Sequence, residues 1–222
     1  MGKRTRPAVL ALTGAMALLV NGCTGDTGPN TSTVPAASPA PSASTNPSAA
    51  PTSASPTPTG QGYPADVPLT GHNLKPGEKP PVYPAAARAR TQAGANAFAG
   101  FFLRTLDWAY ATTNPSYLKH YSGPSCALCD DLATEIRKTA AVHHWYLGGR
   151  LTIRPATATP LGPVTAPADF CSTVSVDRTA HSVVDRAGTV FTEEAAHPNF
   201  RWKLCMQSSS SLWQVTYFAA AR

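Results

Sequence analysis

The side chains best suited to chemistry in this 222-residue chain are its five cysteines, Cys23, Cys126, Cys129, Cys171 and Cys205. Cys126-Ala127-Leu128-Cys129 opens a segment with helical periodicity, and a helix N-terminus lowers a thiol pKa, so a redox role is one reading. The strand that would lead into such a site is missing, because the preceding residues read as helix and turn. A four-cysteine zinc site would need a second knuckle of the same spacing, and Cys171 and Cys205 stand alone. Structural disulfides are favoured: Cys126 with Cys129 and Cys171 with Cys205, with crossed pairings that staple helix to sheet as the alternative. For acid-base work the nearest groups by helical position are Asp107, Tyr110 and Tyr117, joined by His143, His181 or Asp177. A carboxylate in an apolar cavity could abstract a proton while a tyrosine hydroxyl donates to the oxyanion. Each has a structural alternative: Asp107 at a solvated helix edge, Tyr110 in the core with its hydroxyl at the rim, His143-His144 closing a helix. No phosphate loop, zinc-protease helix or nucleophile elbow occurs, and no metal or cofactor is expected.

Helices come first among the elements that would position these groups. After Pro84, the run Ala85 to Arg90 has high helix propensity. Ala97, Phe98, Phe101, Phe102, Leu106, Ala109 and Tyr110 continue it as one wide apolar face ending near Ala111 or Thr112. Asn114-Pro115 starts a short second helix that turns Tyr117 and Leu118 inward, and Ser122-Gly123-Pro124 breaks it. Ser125 caps a third helix expected to run to about Leu147, with Gly148-Gly149 as its stop. Beyond Arg150 the period falls to two. Strands are expected at Leu151–Ile153, Phe170–Val176, His181–Val184, Thr189–Phe191, Phe200–Met206 and Leu212–Phe218, with Arg186-Ala187-Gly188 a turn and 207–211 a hairpin loop. Pro155, Pro160 and Pro163 interrupt the region between the first two. Helices followed by strands argue an α+β domain with an antiparallel sheet packed on the helices.

The first 82 residues carry no core pattern. Lys3, Arg4 and Arg6 precede an apolar stretch, Pro7 to Val20, of about 14 residues, short for a bilayer span and right for an export signal. Val20-Asn21-Gly22-Cys23 resembles the bacterial lipoprotein box, which would place a diacylated thioether on Cys23 and leave the protein on the outer face of the cell membrane. Residues 23–60 are almost only Pro, Ser, Thr, Ala, Asn and Gly, a disordered stalk. Residues 61–82 read as an extended collar that Tyr63, Val67, Leu69 and Tyr83 could pin to a single domain at 83–222. The formal charge of +6 includes the three basic residues of the signal. What is left is scattered, with no basic stripe, so nucleic acid is excluded as a partner.

The order of elements resembles the cone-shaped nuclear transport factor 2-like fold. More closely, Tyr83-Pro84-Ala85-Ala86-Ala87-Arg88, Gly94-Ala95-Asn96-Ala97-Phe98, Leu106-Asp107-Trp108-Ala109-Tyr110-Ala111-Thr112 and Ser125-Cys126-Ala127-Leu128-Cys129 resemble an actinobacterial family of lipoproteins of uncharacterised function. That resemblance implies a curved antiparallel sheet wrapped round a long helix, and no particular chemistry. Two non-enzymatic functions follow as expectations. Either aromatics close the cone and the sheet face docks a protein partner or a second copy, or they line an open pocket for a small apolar ligand. The residues expected around that pocket are Phe101, Phe102, Asp107, Tyr110, Tyr117, Trp202 and Trp213. The interaction module leads, the ligand pocket is the alternative, and an isomerase-like or thiol-redox enzyme comes last.

Overall fold

Gln92–Thr112 forms the long helix α1 around which everything else packs. The structure, a computed structural model, describes residues 63–161, 167–209 and 212–221. The expected export signal, Cys23, the expected stalk and residues 210–211 of the expected hairpin loop lie outside them. Ala85–Arg88 make only a 3-10 turn, and Ala89 is extended. The helix starts afresh at Gln92 because the Thr91 hydroxyl accepts from the Gly94 N–H at 3.2 Å, meeting one of the donors a helix start leaves unpaired. Its end is closed by Thr113 in the left-handed conformation.

The apolar face foreseen for α1 is present, but the helix is buried on nearly every side. The collar accounts for the difference. Val67 is buried, the Trp108 indole N–H donates to the Pro68 carbonyl at 2.9 Å, and the Tyr117 hydroxyl donates to the Pro81 carbonyl. Gly71 lies so close to α1 that a Cβ there would stand 2.6 Å from the Ala111 oxygen. Tyr63 and Tyr83 pack against the core as expected, whereas Leu69 is exposed.

Helix α2 is Ser116–His120, with the Asn114 carboxamide accepting from the Ser116 N–H at 2.9 Å. Helix α3 is Ala127–Ala141, shorter than the sequence suggests. Ser125 does not cap it but donates to the Thr216 carbonyl, and the first turn is tied by the Cys126–Cys129 disulfide. The helix stops because His143 takes a positive φ of 58° and the bulky Trp145-Tyr146-Leu147 run pairs as a strand.

The strands are β1 (Trp145–Gly148), β2 (Leu151–Ile153), β3 (Thr157–Thr159), β4 (Phe170–Arg178), β5 (His181–Val184), β6 (Val190–Glu194), β7 (His197–Ser209) and β8 (Leu212–Ala220). All pair antiparallel. The curved single sheet implied by the nuclear transport factor 2-like resemblance is overturned here. There are two sheets: a three-stranded one, β1-β5-β6, and a five-stranded one, β2-β4-β7-β8 with β3 also on β4. The chain passes from one to the other three times, through Gly149-Arg150, Thr179-Ala180 and Ala195-Ala196, each link two residues long. Gly148 and Gly149, with φ of 75° and 70°, fix the first crossing, since a Cβ on Gly148 would meet the Ala180 oxygen at 2.3 Å. A register shift between Val176 and Arg178 precedes the second. The glycine pair read as a helix stop is thus a break between sheets.

The second disulfide, Cys171–Cys205, joins residues directly opposite each other on β4 and β7. Phe98, Phe101, Phe102, Tyr121 and Trp213 fill the space between α1 and the larger sheet, and the Trp213 indole donates to the Ala87 carbonyl at 2.8 Å.

Candidate functional site

A cavity of about 300 Å³ opens where the strands break. Leu106 and Tyr110 of α1 and Leu132 and Glu135 of α3 form one wall. Tyr146 and Gly148 of β1, with His181 of β5 and Glu194 of β6, form the side given by the smaller sheet. Leu151, Val176 and Arg178, then His197, Phe200 and Trp202, come from the larger one. Pairing explains why these residues share a face: His181 stands opposite both Gly148 and Glu194, so the side chains of β5 and β6 meet above a residue that has none.

The wall is chiefly apolar and aromatic, with polar groups in two sets. Tyr110 and Tyr146 meet edge to face at 4.8 Å, and Phe200 and Trp202 do so at 4.6 Å. The Tyr146 hydroxyl donates to Glu135 Oε1 at 3.1 Å and lies 2.9 Å from the Thr139 hydroxyl. Burial pushes both phenols well above their ordinary pKa, so they act as hydrogen-bonding groups and not as acids. In the second set Arg178 and Glu194 form an ion pair. Burial raises the Glu194 pKa, but the hydrogen-bonded Arg178 guanidinium outweighs this and holds it below the usual value. His181 is held below its ordinary pKa by burial first and by the Arg178 charge second. Among the described residues its buried Nδ1 has no hydrogen-bond partner, and an imidazolium proton there would find no acceptor among them.

The residues named from sequence divide sharply. Tyr110 and Trp202 line the cavity, and so does His181. Phe101, Phe102, Tyr117 and Trp213 do not: they are core, each 2% exposed or less. Asp107 is a clamp. Its carboxylate accepts from Arg150 at 2.8–3.2 Å and from the Leu151 N–H at 2.9 Å, while Arg150 also grips Glu78 at 2.5 and 3.0 Å. The Arg150 hydrogen bond draws the Glu78 carboxyl below its usual range. Asn73 completes the clamp by exchanging two hydrogen bonds with the Gly148 backbone. Asp177 is engaged on the surface by Arg154 and the Asn199 N–H, and His143 is exposed beyond α3. Neither lines the cavity. Glu135, Tyr146, Arg178, Glu194, His197 and Phe200 were missed, since they come from five elements and only the doubled glycine marks their meeting point in the sequence. Among the described residues, no group of three or more His, Cys, Asp and Glu is placed to hold a metal.

Such an arrangement defines an α+β domain with an open, largely apolar cavity between two sheets. The chain belongs to a family of unknown function, DUF6318, whose model matches residues 75–219. Among solved structures it is similar to the intermembrane space region of chloroplast protein ARC6, with 12% identity and a TM-score of 0.40 over 60% of this chain and 97% of that one. It is also similar to Aln2 from a Streptomyces species, with 10% identity and a TM-score of 0.36 over 60% and 93%. Neither likeness is close enough to define a fold, so the architecture rests on the strand pairing given above. No curated protein matches the chain.

Proposed function

We propose that the chain is a non-catalytic binding module of the extracytoplasmic space, tethered through a lipid on Cys23, whose cavity takes a small ligand of mostly apolar surface. The observation that carries the ligand reading is the cavity itself: a concave, preformed space lined by aliphatic and aromatic side chains with a few convergent polar groups. Two disulfides suit an oxidising compartment, and no helix among the described residues is long and apolar enough to cross a membrane. Asp107, the foremost candidate base, is committed to Arg150, which weakens the case for proton abstraction.

Fractionation tests the tether: Cys23→Ala should move the protein from the membrane pellet to the soluble fraction, and a variant that stays in the pellet after a salt wash overturns it. For the cavity, a panel of small apolar compounds should quench intrinsic tryptophan fluorescence saturably through Trp202, and Leu132→Phe should abolish this by filling the space. A flat response across the panel removes the ligand reading.

A second reading rests on β6. It is an edge strand with all five residues exposed, Phe191 by 52% and Val190 by 49%. Exposed apolar edges invite strand addition or docking, and a protein partner or a second copy would cover it. A concentration-dependent dimer mass that Phe191→Asp abolishes supports this reading, and a strictly monomeric mass removes self-association.

A further inference from the structure

We propose that the cavity selects a small organic cation, an amine or quaternary ammonium with an apolar body. The inference rests on the ligand-binding reading above and names the chemical class that the same cavity takes.

Charge provides the first argument. Three groups of fixed charge line the space: Glu135, Glu194 and Arg178. Arg178 and Glu194 neutralise one another as an ion pair. Glu135 forms no ion pair among the described residues, and its hydrogen-bond partner there is the neutral Tyr146 hydroxyl. One carboxylate is therefore uncompensated. The remaining titratable groups facing the space are His181, His197 and the two tyrosines, none of which is negative near neutrality.

Aromatic geometry is the second argument and is independent of the first. A cation is drawn to the face of an aromatic ring, most strongly to tryptophan and tyrosine and most effectively where water is excluded. Tyr110 and Tyr146 stand on one side and Phe200 and Trp202 on the other, each pair locked edge to face. Rings held in that way, with Trp202 also packed on Phe218 at 4.4 Å, lose little freedom on binding. An anion would meet the Glu135 carboxylate, which repels it. A neutral apolar molecule would fit but would leave the carboxylate unused.

Benzyltrimethylammonium and its neutral carbon isostere, neopentylbenzene, separate the outcomes because they share one shape. Intrinsic tryptophan fluorescence, to which Trp202 of the cavity contributes, is followed at pH 8, above the range in which imidazoles titrate. The full chain is held in lipid nanodiscs, with empty nanodiscs measured in parallel to fix the free probe concentration. The ammonium should bind about 10-fold more tightly than its isostere, a ratio within reach of a cation–aromatic contact plus one carboxylate. Glu135→Gln, on an exposed face of α3, should remove most of that preference, bringing the ratio of the two probes close to one. Phe200→Leu should reduce it with every charge intact, so the inference does not depend on one variant folding. Equal binding of the two probes, or tighter binding of the isostere or of benzenesulfonate, overturns the cation inference and leaves the apolar cavity standing. If neither probe binds, both fall.

Discussion

Under the five-stranded sheet, Phe98, Phe101, Phe102, Tyr121 and Trp213 close on one another until none is more than 3% exposed. Beside the three-stranded sheet, Tyr110, Phe200 and Trp202 stand only partly covered around open space, with the buried Tyr146 at its edge. The residue types are alike and the neighbours differ. Against the larger sheet lies α1, whose aromatic side chains interdigitate with β4 and β8. Among the described residues every position of β6 is exposed, with only His144 stacked on Phe191, and the cavity side of the smaller sheet is spent on Tyr146, His181 and Glu194. Aromatic content therefore does not decide between core and site. What decides is whether a second layer reaches the rings.

Several measurements would break or sharpen that contrast. Phe102→Ala should have the largest effect, since the ring is fully buried against Phe98 and Phe218. A loss of about 3–5 kcal/mol in denaturant unfolding is expected, against about 1 kcal/mol for Leu132→Ala, which enlarges a space already there. Equal losses would mean that the cavity closes in solution.

The disulfides come next. Removing Cys171–Cys205, 34 residues apart across two core strands, should cost about 3–4 kcal/mol, and removing Cys126–Cys129, three apart, about 2 kcal/mol, from the entropy of the loops they close. Thermal melts of the two double-alanine variants give the order, and a larger loss at the short bridge would contradict it.

The smallest effect belongs to the clamp that ties the collar to the strand break. The Glu78 carboxyl is held below its ordinary value of 4.5 chiefly by the Arg150 hydrogen bond. A depressed folded pKa stabilises above the unfolded value and loses that stability as pH falls through the folded one. Between about pH 5 and pH 3 the wild type should therefore lose slightly more stability than Glu78→Gln. Parallel curves for the two would show that the pair contributes nothing.

Much of the architecture was legible because it is written locally. Phe98, Phe101 and Phe102 recur at helical spacing, Phe170–Val176 and Leu212–Phe218 alternate, and the doubled glycine stands out. Trp145-Tyr146-Leu147 was not legible as a strand, since its apolar positions also fit one more helical turn. Only pairing with His181–Val184 decides it. Phe101, Phe102, Tyr117 and Trp213 were expected beside a pocket for the same reason: periodicity places a residue inward without saying whether the space it enters is filled.

The sequence by itself determined what depends on near neighbours along the chain: α1, the strand segments and the α+β order. The tertiary structure alone decided that three strands break at one level into two sheets. It also decided that Asp107 serves Arg150, and that Glu135, Tyr146, Arg178, His181 and Glu194 converge on one cavity. Those outcomes depend on contacts between residues far apart in the chain, whose energies no local pattern encodes.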